Sequence, residues 1–230
     1  MTNIKNTGAK ISDLLGDIRQ DEYGISYNFL KECGRILDVG CGSGTFLRKA
    51  PDRIEGLDYN PENVEFCHAQ GLKAQTGDAR QLPFDDNSFD GVHFSHVLQV
   101  FHSNDAVAAL RELARVTRPG GLIVVTTLNW FDRFYRHPEN ARAYPPDALR
   151  RLFATLNGAS SPMFARMPVL VQKRIWLRRP PLIEFYSATN HTRDQVSGVL
   201  NKLQYRLGLR KYWAFDAYVV CFEKQRSSAS

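Results

Sequence analysis

The stretch Ile36-Leu37-Asp38-Val39-Gly40-Cys41-Gly42-Ser43-Gly44-Thr45-Phe46 constrains the fold more than any other part of the chain. A short, mostly apolar run stops at three glycines in alternate positions, and a helical pattern is expected to follow from position 45. Glycine lets a backbone approach a ligand closely, because no Cβ intervenes. A helix amino terminus adds unpaired N–H groups that suit a carboxylate or phosphate. The spacing here is Gly-x-Gly-x-Gly. The dinucleotide fingerprint Gly-x-Gly-x-x-Gly needs a glycine where this chain has Thr45, so that fingerprint fails.

Around this turn the pattern alternates between short β-branched runs and longer amphipathic stretches. Strands are expected at 35–39, 54–58, 72–76, 89–95 and 122–127. A helix is expected at 61–70, with Asn60 as N-cap, Pro61 in the first turn and Gly71 just past the end. A second occupies 106–116, where Val107, Leu110, Leu113 and Ala114 recur at helical spacing before the stop Pro119-Gly120-Gly121. Strand–helix alternation of this kind implies a parallel sheet with helices on both faces. Ligands of such sheets bind beyond the carboxyl ends of the strands, where strand order reverses.

Two acids fall at such strand ends. Asp58 closes the second strand, where a carboxylate accepts hydrogen bonds from both hydroxyls of a ribose. Asp78 follows the third strand in Thr76-Gly77-Asp78-Ala79, where a side-chain or backbone group can read an adenine amino group. Each acid alone is an ordinary loop cap; in sequence behind the glycine turn they describe a nucleoside site.

These residues resemble the class I S-adenosylmethionine-dependent methyltransferases, in particular the group acting on small molecules. The resemblance covers about 35–127 and resumes more weakly near Thr192. ILDVGCGSG is similar to the family's first motif, and Asp58 to its ribose-binding acid. GDARQLPFDDNSFD is similar to its third-strand loop, and RELARVTRPGG to its turn before the fifth strand. The resemblance implies a Rossmann-like, doubly wound α/β fold. Its mostly parallel seven-stranded sheet would carry helices on both faces and a helical insertion after the fifth strand. It implies S-adenosylmethionine as donor, with S-adenosylhomocysteine as product. It also implies that Asp38, Gly40, Cys41, Gly42 and Gly44 hold the methionine end and Asp58 the ribose. Tyr59, Asp78 and Ala79 would border the adenine, and Ser95 and His96 would lie near the sulfonium. Tyr27, or Tyr23 in the same helical stretch, would close over the methionine.

An activated methyl donor leaves the protein mainly a positioning task. A base is needed only when the acceptor must lose a proton. His96 is the candidate, with His102 and His191 behind it, because imidazole titrates near neutrality. Asn129, Trp130 and Tyr135, just past the fifth strand, are expected to border the acceptor. No metal site is expected, since the four cysteines form no Cys-x-x-Cys pair and no acidic cluster suggests magnesium. An Asn/Asp-Pro-Pro-aromatic motif after the fourth strand would mark methylation of a nucleic-acid base. Ser95-His96-Val97-Leu98 stands there instead, which argues against nucleic acid as acceptor.

Charge separates the chain into two parts. Ten Lys or Arg residues but only Glu139 and Asp147 lie between Arg133 and Arg179, while the rest holds twenty bases and twenty-two acids. The segment 129–190 therefore reads as a basic, aromatic-rich lid or acceptor insertion. Residues 1–128 and 191–226 form the cofactor domain, with a capping-box helix from Thr192 to about Tyr205 and a last strand at 217–223. The expected acceptor is aromatic or lipid-like, with or without negative charge. The basic run 169–179 offers contact with a membrane surface or a carrier protein. An RNA-modifying methyltransferase, and a cofactor-binding protein without methyl transfer, are the alternatives. The opening residues lack the apolar stretch of a secretory signal, which is the expectation for a cytoplasmic protein; oligomeric state is not readable from the sequence.

Overall fold

A computed structural model of the chain describes residues 22–128, 138–145, 148–149, 170–178 and 217–225. All of them belong to one unit, formed by Glu22–Arg178 with Phe215–Ser230. The elements, in chain order, are α1 (Glu22–Leu30), β1 (Ile36–Val39), β2 (Ile54–Asp58), α2 (Pro61–Ala69), β3 (Ala74–Thr76), β4 (Phe89–Ser95), α3 (Ser103–Val116), β5 (Thr117–Leu128), β6 (Leu170–Arg178) and β7 (Ala217–Lys224). Single 3₁₀ turns occupy Leu47–Lys49 and Leu98–Val100.

The sheet has seven strands in the order β3-β2-β1-β4-β5-β7-β6. Strands β1 to β5 pair in parallel, and β7 pairs antiparallel with both β5 and β6. The chain runs outward through β1, β2 and β3, then returns to the other side of β1 for β4. Strand order therefore reverses between β1 and β4, where Val39 stands beside Phe94.

Alternation along the central strands sends successive side chains to opposite faces. Leu37, Val39, Val92, Phe94, Ile123 and Val125 pack on one face with Leu110 and Leu113 of α3. Ile36 and Val124 pack on the other with Leu30 of α1, Phe46 and Leu47. Both faces are apolar, as covered parallel strands require.

Local chemistry explains most boundaries. Asn60 caps α2 by accepting from Glu62 N at 3.0 Å, with Pro61 in the first turn. α3 ends where Thr117 turns extended while its amide and hydroxyl still reach Leu113 O, the hydroxyl at 2.6 Å. β5 then begins at Thr117, before the Pro-Gly-Gly stop. The register against β4 shifts there to accommodate it, from Phe89 with Thr117 to Gly91 with Leu122. Arg115 ties the loop after β3 to α3. It donates to the carbonyls of Phe84 and Leu82 and to Glu112 and Asp86, while Glu112 accepts from Leu82 N. The Arg-Glu-Leu-Ala-Arg sequence thus serves as a staple.

Four expectations change, the first being β5, expected at 122–127 but already begun at Thr117. No α-helix follows the glycine turn; a single 3₁₀ turn at Leu47–Lys49 stands there. β3 is shorter than 72–76, since Leu72 and Lys73 precede it. Leu170–Arg178, read as an amphipathic run inside the 129–190 segment, is the edge strand of the sheet. The helix expected from Thr192 to about Tyr205 lies outside the described residues.

Candidate functional site

The glycine turn crosses from the end of β1 toward β2. Gly40 and Cys41 donate their amides to Leu57 O at 2.7 and 3.1 Å, and Gly44 N donates to Cys41 O. Gly42 N donates to Asp58 Oδ2 at 2.7 Å. These four amides are engaged inside the protein, and no α-helix amino terminus stands behind them. The expected anion cradle of free N–H groups is therefore not what the turn builds. Gly40 (φ +76°) packs on Val97, where a Cβ would meet Cγ2 at 2.2 Å, whereas a Cβ on Gly42 (φ +51°) would meet nothing within 4 Å. Gly40 thus answers a packing demand, and Gly42 leaves open space at the switch point.

Asp58 is 8 % exposed. Its Oδ1 accepts from Asn60 N and Asn63 Nδ2, both at 3.0 Å, while Oδ2 accepts only from Gly42 N. A carboxylate oxygen takes about two hydrogen bonds, so Oδ2 has room for one more donor. Tyr59, next in sequence, is 77 % exposed. Asp78 is differently placed. Arg80 grips both its oxygens, with Nη2 to Oδ2 at 2.6 Å, and also pairs with Asp105. This guanidinium holds the Asp78 carboxyl below its ordinary range. Ala79 is buried beside it.

Asp38 and His93 stand opposite each other in the β1–β4 register, so their side chains share the α1 face of the sheet. Asp38 Oδ1 lies 2.7 Å from His93 Nδ1, with both residues buried. The His93 ring stacks on Phe46 at 3.8 Å and lies 6.0 Å from Tyr23. Its Nε2 is buried without a hydrogen-bond partner. Of the two tyrosines of α1, Tyr23 borders this cluster. The Tyr27 hydroxyl instead accepts from Arg53 at 2.8 Å.

Ser95 ends β4 and His96 follows it, on the opposite lip of the switch point. His96 holds a left-handed backbone (φ +57°), a conformation that costs an L-residue on the order of 1 kcal/mol. Its amide donates to Thr126 O at 2.8 Å, and its Nε2 lies 2.7 Å from Glu22 Oε2 of α1. Nearby, Gln99 accepts from Thr127 Oγ1 and Leu128 N through Oε1, and from Ala141 N and Arg142 N through its carbonyl. Residues 138–145 are thereby fixed against the carboxyl ends of β4 and β5. Asn129, Trp130, Tyr135 and His191 lie outside the described residues. His102 is exposed at the N-cap of α3.

Burial disfavours the thiolate form of the cysteines, which a nucleophile or a metal ligand requires. All four are free and buried. Burial pushes Cys33 up to about 11 and Cys221 to about 12, and raises Cys41 further. Among the described residues no group of three His, Cys, Asp or Glu side chains is arranged to hold a metal ion.

Sequence reasoning missed Glu22 and His93. Glu22 is 74 positions from its partner, and nothing local marks it. His93 carried a usable signal: a histidine inside an apolar strand must find a buried partner, and Asp38 is the polar residue at the matching height of β1.

A parallel sheet with its glycine turn at the β1/β4 reversal and an acid at the end of β2 defines a Rossmann-like domain of the class I methyltransferase type. Residues 37–125 match the family model described as a methyltransferase domain. A fatty-acid O-methyltransferase of Mycolicibacterium smegmatis is 38 % identical over 104 residues, which cover 40 % of this chain and 36 % of that protein. A demethylmenaquinone methyltransferase of Staphylococcus aureus is 36 % identical over 101 residues, covering 39 % and 41 %. The match thus spans about two fifths of the length of these relatives. A solved structure of a SAM-dependent methyltransferase from Archaeoglobus fulgidus superposes with a TM-score of 0.61 at 19 % identity, covering 95 % of this chain and all of that one. Residues 37–125 thus resemble the methyltransferase domain of class I S-adenosylmethionine-dependent enzymes, whose methyl donor is S-adenosylmethionine.

Proposed function

We propose that this protein transfers a methyl group from S-adenosylmethionine to a small-molecule acceptor at the carboxyl ends of β1 and β4. The observation that carries the reading is the pairing of open space at Gly42 with the spare acceptor position on Asp58 Oδ2 at the strand-order reversal. Asp58 would take a ribose hydroxyl, with Tyr59 flanking the adenine. Asp38 and the turn Gly40-Cys41-Gly42-Ser43-Gly44 would border the methionine end, with Tyr23 above it in preference to Tyr27. The Asp78 carboxylate is held by Arg80, so the adenine edge is read there by backbone around Asp78 and Ala79.

The bound donor supplies an electrophilic methyl group on a sulfonium. The chain's own residues orient the acceptor, exclude water and, where the acceptor carries a proton, accept it at His96. Ser95 and His96 form the acceptor-side lip, and Asn129, Trp130 and Tyr135, which follow β5 in the chain, would border the acceptor. Residues 138–145, fixed on Gln99, support that placement. The acceptor is aromatic or lipid-like. The names of the two relatives, which specify a fatty acid and demethylmenaquinone, favour a largely apolar molecule. The basic segment suits an anionic group on the acceptor, a carrier protein or a membrane surface. Unbridged, buried cysteines fit a reducing cytoplasm. Among the described residues no helix is long and apolar enough to cross a membrane.

Methyl transfer from tritiated S-adenosylmethionine to a panel of fatty acids, phenols and quinols tests the reading. Organic-extractable label with at least one acceptor class is expected. Saturable cofactor binding without label on any class, or on RNA, would instead favour a binding protein without transfer.

A further inference from the structure

The contact between Glu22 and His96 joins α1 to the acceptor side of the site. Resting on the methyltransferase reading, we propose that Glu22 is a positioning residue that fixes the tautomer of His96, leaving Nδ1 as a proton acceptor for the methyl acceptor. The acceptor is then a group that must lose a proton, such as a phenolic or enolic hydroxyl, and not a carboxylate.

Geometry supports each part. Glu22 Oε2 is 2.7 Å from His96 Nε2, with the carboxylate side chain 13 % exposed and the imidazole 33 % exposed. A carboxylate accepts only, so the Nε2 position carries the hydrogen. In the neutral ring Nδ1 is then the bare nitrogen, and it has no hydrogen-bond partner among the described residues. The backbone locks the ring from the other side. His96 keeps its left-handed conformation, with its amide on Thr126 O, at the end of β4 beside the strand-order reversal. α1 is anchored by more than Glu22. One helical turn further on, Ser26 Oγ lies 3.4 Å from Thr126 Oγ1, on the same strand end that holds His96 N. A base oriented by a third group is the arrangement that activates a hydroxyl.

In the reaction the acceptor oxygen forms its bond to the methyl carbon as the carbon–sulfur bond breaks. The electron pair of that bond stays on sulfur, and the acceptor proton passes to His96 Nδ1. The positive charge that leaves sulfur arrives on the imidazole, where the Glu22 carboxylate stabilises it. A carboxylate acceptor has no proton to give and gains nothing from this pair.

Two-bond ¹H–¹⁵N correlation spectra of the full chain at pH 8.5 read which ring nitrogen of His96 carries the hydrogen; the His96→Gln variant assigns the signal. The wild type should show Nε2–H with bare Nδ1, and Glu22→Gln, whose amide oxygen still accepts, should keep it. Glu22→Ala should shift His96 toward a mixture of both tautomers, with calorimetric affinity for S-adenosylhomocysteine within about twofold of wild type. Hydrogen on Nδ1 in the wild type, or an unchanged tautomer in Glu22→Ala with its melting curve intact, overturns the proposal. If Glu22→Ala does not fold, the wild-type spectrum alone decides. Failure of the wild type to bind S-adenosylhomocysteine would strike the methyltransferase reading instead, because the tautomer is read without any ligand.

Discussion

Gly40 and Gly42 sit two residues apart in one turn, yet the structure gives them different tasks, and alanine at each should separate them. At Gly40 two penalties combine. A φ of +76° costs an L-residue about 1–2 kcal/mol. The new Cβ would also lie 2.2 Å from Val97 Cγ2, well inside contact distance, and overpacking of this kind costs about 1–3 kcal/mol. Gly40→Ala should therefore lose about 2–5 kcal/mol of stability in urea denaturation. Removing the obstacle isolates the second penalty. In the Gly40→Ala/Val97→Ala double variant the two losses should be less than additive by about 1–3 kcal/mol, leaving the backbone penalty. Gly42→Ala carries only the backbone penalty, about 1–2 kcal/mol, because its Cβ meets nothing within 4 Å. That Cβ instead enters the space assigned to the donor. Affinity for S-adenosylhomocysteine should fall at least about tenfold, equivalent to about 1.4 kcal/mol. Additive losses in the double variant would refute the packing account of Gly40. Full affinity in Gly42→Ala would refute the assignment of that space to the cofactor.

Asp58→Ala should both destabilise the β1–β2 junction and weaken S-adenosylhomocysteine binding, since three donors inside the protein lose their acceptor. Hydrogen bonds to a charged group are worth about 1.5–3 kcal/mol each, reduced where water can replace the carboxylate; calorimetry and urea titration read the two effects separately. Arg115 holds the Glu112 carboxyl below its ordinary value of 4.5, so the stability it contributes is present above that value and lost as pH falls through the lower folded value. The urea midpoint of wild type should exceed that of Glu112→Gln near neutrality, and the difference should shrink below pH 4.5; a constant difference across that range would contradict the staple.

Most of the sheet was legible because its strands are short, apolar and bounded by glycine, proline or an N-cap. Asn60 and Pro61 announced α2 in the way they cap it. β6 was not legible for a physical reason. It is an edge strand with a register shift between Gln172 and Arg174, so Lys173, Arg174 and Ile175 are all exposed and the two-residue alternation is broken. Its basic residues then read as a surface-seeking amphipathic run. The glycine turn misled in another way. Its sequence implied amides aimed at an anion, but Leu57 O and Asp58 lie close enough to engage them. On the site itself, Asp58 and His96 were visible as types at strand ends. Their partners were not, because Asn63, Gly42 and Glu22 are brought to them by the topology. Tyr23 and Tyr27 were indistinguishable in sequence. The phase of α1 separates them, turning one toward His93 and the other toward Arg53.

The central claim is that the β1/β4 reversal binds the methyl donor through Asp58 and the space beside Gly42. Isothermal titration of the full chain with S-adenosylhomocysteine tests it most directly, with Asp58→Ala and Gly42→Ala titrated alongside. Saturable binding at about one site per chain, competed by S-adenosylmethionine and weakened in both variants, is the expected result. Absence of saturable binding by the wild type, or binding that neither variant alters, would contradict it.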